Sequence, residues 1–374
     1  MTDLFLRHVV QHEDTLAPGV IEQADIDDAL SRIRGWDGYG ETPLLSLPGL
    51  ARHLGLGRVD AKYESDRFGL GSFKSLGGAY AVERVVRDRG SADGLTVATA
   101  SDGNHGLSVA WGARRHGAQC RVYLHENVSE GRAALIAGMG ATVIRVAGNY
   151  DDSTHRAEAD CQANGWTLVA DTALDPEDKA PSRVMAGYSV MAQEMVDRLA
   201  QAPTHIFIQG GCGGLAAAMV RMLWNAWPTA RPLFVLVEPD RADCLYRSAE
   251  AGRPVRIDGD LDTVMGGLSV GEVSLSAWHL LWPTVSGYLR IPDEAAVDAM
   301  RALAQGRHGD APVIAGDAGA AGIAGIVAAA TDPDIRQRLG LGPESRVLTI
   351  ITEGAVDRAG WQDITGISLA AGAA

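Results

Sequence analysis

Residues 95–117, LTVATASDGNHGLSVAWGARRHG, run from a β-branched stretch through a polar, glycine-bearing turn into an amphipathic helix. The first amides of such a helix have no partner within it and point outward with the positive end of the helix dipole. The turn therefore suits a carboxylate or a phosphate. Gly103 and Gly106 let backbone approach a ligand closely, and Ser101, Asn104 and His105 offer side-chain hydrogen bonds that a plain connection does not need. Asp102 does not fit an anion site. A carboxylate beside an anion is unfavourable unless it holds a cation or moves a proton, so Asp102 reads as a group with chemistry to do. The competing account is an ordinary strand-to-helix turn capped by Asp or Asn. That would explain a bare Asp-Gly, but not the six consecutive polar or glycine residues from Ser101 to Gly106.

A second glycine turn, THIFIQGGCGGLAAAMV at 204–220, again ends a strand and opens a helix, which suits a phosphate on the backbone amides around Gly210, Gly211, Cys212, Gly213 and Gly214. Gly211-Cys212-Gly213 followed by Ala216 also matches the dinucleotide fingerprint, and Glu238 ends the next strand where an acid could hold a ribose. A nicotinamide-dependent oxidoreductase is thus an open alternative. Cys212 reads as a small residue tolerated where backbone does the work or as a reactive thiol, and no base stands near it in sequence. The third feature is Lys74 in RFGLGSFKSLGGAYAV, a lysine among glycines and apolar residues at a helix start. Such a setting can depress a lysine pKa and favour imine chemistry, although taken alone the lysine is better read as a solvated one at a helix start.

These turns need elements to position them. Strands are expected at Val59–Ser65, Leu95–Ala100, Gln119–Leu124, Thr142–Val146, Thr167–Ala170, His205–Ile208, Leu233–Val237, Tyr288–Ile291 and Val347–Ile351. Helices are expected at Lys74–Asp88, Asn104–His116, Glu130–Met139, Asp151–Asn164, Ser182–Ala200, Gly213–Trp224 and Asp293–Ala304. Strands alternating with helices imply an α/β fold with mostly parallel sheet. The 374 residues allow two packed domains, and no repeat or long linker interrupts them. A net charge of −14 without a basic cluster argues against nucleic acid or an anionic membrane as partner, leaving small soluble ligands. With neither a signal-peptide layout nor a long apolar run, a cytoplasmic protein is expected. Cys120, Cys161, Cys212 and Cys244 are too scattered for a zinc ribbon or a disulfide framework.

The segments GSFKSLGGAYA, SDGNHG, QGGCGG and ITEG, in this order, resemble the fold type II (tryptophan synthase β family) enzymes that use pyridoxal 5'-phosphate. Within that group YESDRFGLGSFKSLGGAY, GNYDDS, DTA at 171–173, EPDRADCLYRS, MGGLSVGE and TEG are most similar to diaminopropionate ammonia-lyases. The resemblance implies two open, mostly parallel α/β domains, residues 1–92 with 204–374 and residues 93–203, in a homodimer. It implies that Lys74 holds the cofactor and then acts as the base at Cα. The amides of residues 210–214 would bind the phosphate, Asn104 the phenolic oxygen and Thr352 the pyridine nitrogen. Ser101, Gly103 and His105, with the amides of their turn, would receive the amino-acid carboxylate. Asp102 and Asp171 would be the active-site acids, where dehydratases of this fold usually have a neutral residue at the first position. Such a pair can hold a β-ammonium, take the α-proton from the face opposite Lys74, or return a proton to the leaving amine. Without the resemblance, Asp171 reads equally well as a helix cap.

Three segments depart from the ammonia-lyase pattern: EVSLSAW after Gly271, AVD after Gly354, and LDPEDKAPSRVM at 174–185. A dehydratase of a 3-hydroxy amino acid therefore stays open, as does a non-catalytic amino-acid sensor. Two other motifs read as accidents. Gly267-Leu268-Ser269-Val270-Gly271 imitates a hydrolase nucleophile elbow without a good preceding strand, and Asp258, Asp260 and Asp262 imitate a calcium loop without its glycine and glutamate. None of the ten histidines forms HExxH, and His105 reads as a loop-ordering residue, so no metal site is expected.

Overall fold

The computed structural model describes residues 2–7, 9, 19–101, 103–148, 150–173 and 178–369. Asp102 and residues 174–177 lie outside them. Eleven strands are described: β1 (Asp3–Leu6), β2 (Leu44–Ser46), β3 (Arg58–Tyr63), β4 (Thr96–Ala100), β5 (Gln119–His125), β6 (Thr142–Val146), β7 (Thr167–Leu168), β8 (His205–Gln209), β9 (Leu233–Pro239), β10 (Gly287–Ile291) and β11 (Arg346–Ile351). They form a seven-stranded sheet of order β1-β10-β9-β8-β11-β3-β2 and a four-stranded sheet of order β6-β5-β4-β7. All inner pairs are parallel, and β1 and β2 close the larger sheet antiparallel at its two edges. The smaller sheet is parallel throughout.

Each of the nine expected strands is present, with its ends within two residues of the expectation. The strands are legible because parallel sheet covered on both faces needs short continuous apolar or β-branched runs, and TVATA of β4 and HIFIQ of β8 are buried at every position. The edge strands β1 and β2 were not expected: at four and three residues they carry no alternation to read.

The seven expected helices are present as Lys74–Arg89, Asn104–His116, Glu130–Gly138, Tyr150–Asn164, Lys179–Arg198, Gly214–Ala226 and Asp293–Gln305. Lys179–Arg198 starts earlier than expected because the Asp178 carboxylate caps it, accepting from the Ala180 amide at 2.9 Å. The largest omission is Asp317–Thr331. Its DAGAAGIAGIVAAAT is apolar on nearly every side because helix and sheet surround it, so it shows no amphipathic period. Among the described residues no helix is long and apolar enough to cross a membrane.

The helix Lys74–Arg89 packs between Asn104–His116 and Lys179–Arg198, and glycines set the spacing. A Cβ on Gly112 would lie 2.6 Å from Ala79 Cα, and one on Gly187 would lie 2.6 Å from the Leu76 carbonyl oxygen. The start of the Lys74 helix is thus clamped between both neighbours. The loops that follow β3, β4, β7, β8 and β11 all leave the carboxyl ends of parallel strands, where ligands of open α/β sheets bind.

Candidate active site

Lys74 is the first residue of its helix, and the loop before it is tied to the residues after β11. Phe73 donates its amide to the Thr352 carbonyl at 3.0 Å, Gly354 donates to the Gly71 carbonyl at 3.0 Å, and Ser72 forms an antiparallel bridge with Glu353. Lys74 Nζ lies 2.5 Å from Asp171 Oδ2. Burial works against the Lys74 ammonium, but the Asp171 carboxylate outweighs it and raises the amine well above the ordinary lysine range. Burial likewise pushes the Asp171 carboxyl up, while His105 and Lys74 together pull it well below the ordinary carboxylate range. Burial keeps His105 below its usual value, so Lys74 is the cation that Asp171 meets at neutral pH. His105 Nε2 lies 2.9 Å from the Val169 carbonyl, which can only accept, so Nε2 carries the proton. His105 Nδ1 then presents a lone pair, 3.9 Å from Asp171 Oδ2 and without a hydrogen-bond partner.

Lys74, Asp171 and His105 line one cavity with Ser101, Gly103, Asn104, Gly210, Gly211, Cys212, Gly214 and Thr352. Gly213 does not line it. The glycine turn divides its work differently from the expectation that all five amides face a ligand. Gly210 donates to the Val237 carbonyl at 2.8 Å and Gly213 to the Gly210 carbonyl at 3.0 Å, so these two amides are spent on the sheet and the turn. Gly211 and Gly213 take φ of 53° and 97°, which L side chains resist. Gly211 and Cys212 precede the helix and Gly214 opens it, so none of these three amides is spent on a backbone carbonyl. Burial raises the Cys212 thiol, with Asp171 adding to it, which opposes a reactive thiolate.

Ser101 also differs from its expected role. Its Oγ accepts from the Gly103 amide at 2.9 Å and the Gly106 amide at 2.8 Å, so it staples the turn and has its hydroxyl proton left to give. Asn104 Nδ2 donates to Glu353 Oε2, and its Oδ1 is buried without a partner. Thr352 is buried on the cavity wall. Glu238 is no ribose ligand: it is fully buried and accepts from the Leu245 amide at 2.9 Å and the Tyr246 amide at 2.7 Å, capping the helix Cys244–Ala251. That removes the acid on which the dinucleotide reading rested. Ser269 donates to the Leu261 carbonyl at 2.8 Å, and Asp258, Asp260 and Asp262 are exposed, in keeping with neither motif being a site.

Several cavity residues carried no sequence signal of their role. Arg132 reaches the wall from the helix Glu130–Gly138, and Gln209 and Tyr150 complete it. Glu353 stood within the TEG segment without an assigned part. Ser274, in the divergent EVSLSAW, joins two walls: it donates its amide to the Cys212 carbonyl at 2.9 Å and accepts from the Ala173 amide at 3.1 Å.

Residues 35–353 match the family described as pyridoxal-phosphate dependent enzymes. The chain belongs to that family. Its similarity extends to diaminopropionate ammonia-lyase of Escherichia coli K12, 34% identical over 341 residues that cover 86% of each chain. The crystal structure of the E. coli ammonia-lyase in complex with an aminoacrylate–PLP azomethine reaction intermediate superposes with a TM-score of 0.90 at 31% identity, covering 98% of this chain and 97% of that one. The same E. coli enzyme in complex with D-serine superposes with a TM-score of 0.89 at 30% identity, covering 98% and 97%. The fold is therefore fold type II and the cofactor is pyridoxal 5'-phosphate. The residues of this pyridoxal-phosphate enzyme fit that group: a lysine at a cavity wall, amides at a helix N-terminus not spent on backbone, and an asparagine on the wall with a second N–H to give.

Proposed function

We propose that this enzyme eliminates ammonia from 2,3-diaminopropionate. The α-proton leaves, the β-amino group departs as ammonia, and water converts the remaining three-carbon fragment to pyruvate and a second ammonia. The observation that carries this reading is the Lys74–Asp171 pair, an amine and a carboxylate 2.5 Å apart on the cavity wall. It stands in a chain similar over most of its length to diaminopropionate ammonia-lyase.

When bound, pyridoxal phosphate supplies a carbonyl that bonds amines covalently and a ring that draws electrons from the adjoining carbon. Lys74 is the residue to hold it, and Lys74 Nζ is the group to take the α-proton from one face. Asp171 accepts from that amine and, as an ionised carboxylate, can hold the β-ammonium or relay a proton from Lys74 to the departing nitrogen. The amides of Gly211, Cys212 and Gly214 suit the phosphate, Asn104 Nδ2 the phenolic oxygen and the Thr352 hydroxyl the ring nitrogen. A neutral hydroxyl there keeps the ring a weaker electron sink than a carboxylate would, which favours loss of a β-group. The turn of Ser101, Gly103 and His105 suits the substrate carboxylate. Asp102, read from the sequence, is the base for the opposite enantiomer or the partner of the β-ammonium.

A 3-hydroxy amino acid as substrate is the second reading, favoured by the complex of the E. coli relative with D-serine. Steady-state rates separate the two. 2,3-Diaminopropionate is expected to turn over faster than serine or threonine, and Asp102→Asn to lose activity on the D enantiomer far more than on the L. Equal losses on both would make Asp102 a β-ammonium or leaving-group residue, and a wild-type preference for serine or threonine would reject the ammonia-lyase reading. We also infer a cytoplasmic homodimer and a division into residues 1–92 with 204–374 and residues 93–203. The grouping of β4 to β7 in their own sheet supports that division, and light scattering and limited proteolysis test the two inferences.

A further inference from the structure

Asn104 opens the helix Asn104–His116 on the cavity wall, and its amide could stand in either of two orientations. In one, the two Nδ2 protons lie on the Glu353 side; in the other, Oδ1 does. Glu353 is 3% exposed and its carboxylate receives Asn104 Nδ2. A carboxylate accepts and cannot donate, so turning the amide would set oxygen against oxygen in a buried place. Nδ2 has two protons, and Glu353 uses one.

We propose that Glu353 is a positioning residue that fixes the orientation of the Asn104 amide, so that its second N–H is presented to the phenolic oxygen of the cofactor. The proposal rests on the reading of Asn104 as a cofactor residue.

Glu353 is itself held on every side. Its carbonyl accepts from the Gly316 amide at 3.0 Å, and the bridge to Ser72 ties it to the loop that carries Lys74. Gly316 lets the chain pass close by, since a Cβ there would run into the Gly354 carbonyl oxygen and lie 3.0 Å from Glu353 Cγ. Asp317, the first residue of the next helix, adjoins the same carboxylate. Burial and then the Glu353 charge push the Asp317 carboxyl up to about 7, against the pull of Arg132. Near neutral pH Asp317 can thus donate to Glu353 without displacing Asn104.

The test is a double-mutant cycle of Glu353→Gln and Asn104→Ala, read by cofactor dissociation, by the absorption maximum of the reconstituted enzyme and by the melting temperature of the apoprotein. A glutamine is isosteric but can offer N–H to Asn104 Oδ1, so both orientations become allowed. Glu353→Gln is expected to weaken cofactor retention about tenfold, the scale of one hydrogen bond, and to move the absorption maximum. It should leave the apoprotein melting temperature within about 2 °C of the wild type. In the Asn104→Ala background it should add nothing. Glu353→Asp, which keeps the charge, should recover the absorption maximum in part. Wild-type retention and spectrum in Glu353→Gln, or losses that add fully to those of Asn104→Ala, would overturn the proposal. If Asn104→Ala alone changes neither retention nor spectrum, the reading of Asn104 fails first and the proposal with it. Should Glu353→Gln not fold, the cycle run with Glu353→Asp decides by the same additivity.

Discussion

Lys62 and Lys74 are both enclosed by protein, yet they sit in opposite kinds of surroundings. Lys62 Nζ lies 2.6 Å from Glu194 Oε2 and donates to the Thr42 carbonyl at 2.7 Å. Around it Arg67 donates to Glu64 at 2.8 and 2.9 Å, to Glu194 at 2.7 and 2.8 Å and to the Gly40 carbonyl at 3.0 Å. Two cations and two carboxylates cancel, all four side chains are at most 1% exposed, and each charged group meets one of opposite sign at hydrogen-bonding distance. Lys74 has one carboxylate, a neutral histidine with an unused lone pair, and an asparagine whose oxygen has no partner, all on residues that line a cavity. Burial and charge are common to both clusters. What separates the place of chemistry from the place of structure is hydrogen-bonding capacity left unspent where a ligand can enter.

Exchanging the two clusters' substitutions gives the sharpest way to break this contrast. Lys74→Ala is expected to cut turnover about 10³-fold or more, while the apoprotein loses only the stability of its single ion pair with Asp171. Glu194→Ala leaves Lys62 and Arg67 short of a buried counter-charge and should cost about 3–5 kcal/mol of stability, with the absorption maximum of the surviving holoenzyme unchanged. Chemical denaturation and single-turnover assays on both variants check this. A Glu194→Ala enzyme of normal stability would show that cluster to be less tightly coupled than its geometry indicates.

Asp171→Asn sharpens the comparison through pH. The lowered Asp171 pKa gives stability that is present above the ordinary carboxylate range and is lost as pH falls through the depressed value. The raised Lys74 pKa gives stability present below the ordinary lysine range and lost as pH rises through the elevated value. The melting temperature of the Asp171→Asn apoprotein should therefore lie below the wild type by a constant amount from about pH 5 to about pH 10, and the gap should close in acid. A gap that widens in acid would contradict the ion pair. Cys212→Ala is the smallest effect expected: with its thiol raised by burial and the turn made by backbone, cofactor retention and turnover should stay within about threefold of the wild type.

The contrast also shows what the sequence could reveal. Asn104 and the glycine turn stood out because each follows a strand and breaks an apolar pattern with polar or glycine residues, whereas Lys74 and Asp171 stood out only once their segments were seen to resemble a known family. Which amides of that turn stay free was not legible. Gly210 and Gly213 differ from Gly211 and Gly214 only in where the backbone closes on itself, and five neighbouring residues of small size give no hint of it. Arg132 reaches the cavity, and Ser274 braces its wall from behind, from elements far away in sequence, and Glu353 meets a residue 249 positions earlier. The buried cluster was invisible for the same reason: Lys62, Glu64 and Arg67 look like an exposed charged stretch until Glu194 is placed among them. In the fold, strands covered on both faces announced themselves, whereas the all-round buried helix Asp317–Thr331 and the short edges β1 and β2 had no period to show.

The central claim is that unspent bonding capacity makes Lys74, and not its saturated counterpart, the residue that bonds the cofactor. The chain has three lysines, Lys62, Lys74 and Lys179, so the choice can be read directly. Borohydride reduction of the yellow holoenzyme, followed by peptide mapping, should place the stable adduct on Lys74 alone, with loss of the absorption band and of turnover. An adduct on Lys62 or Lys179, or a holoenzyme that keeps its colour and activity after reduction, would contradict the account.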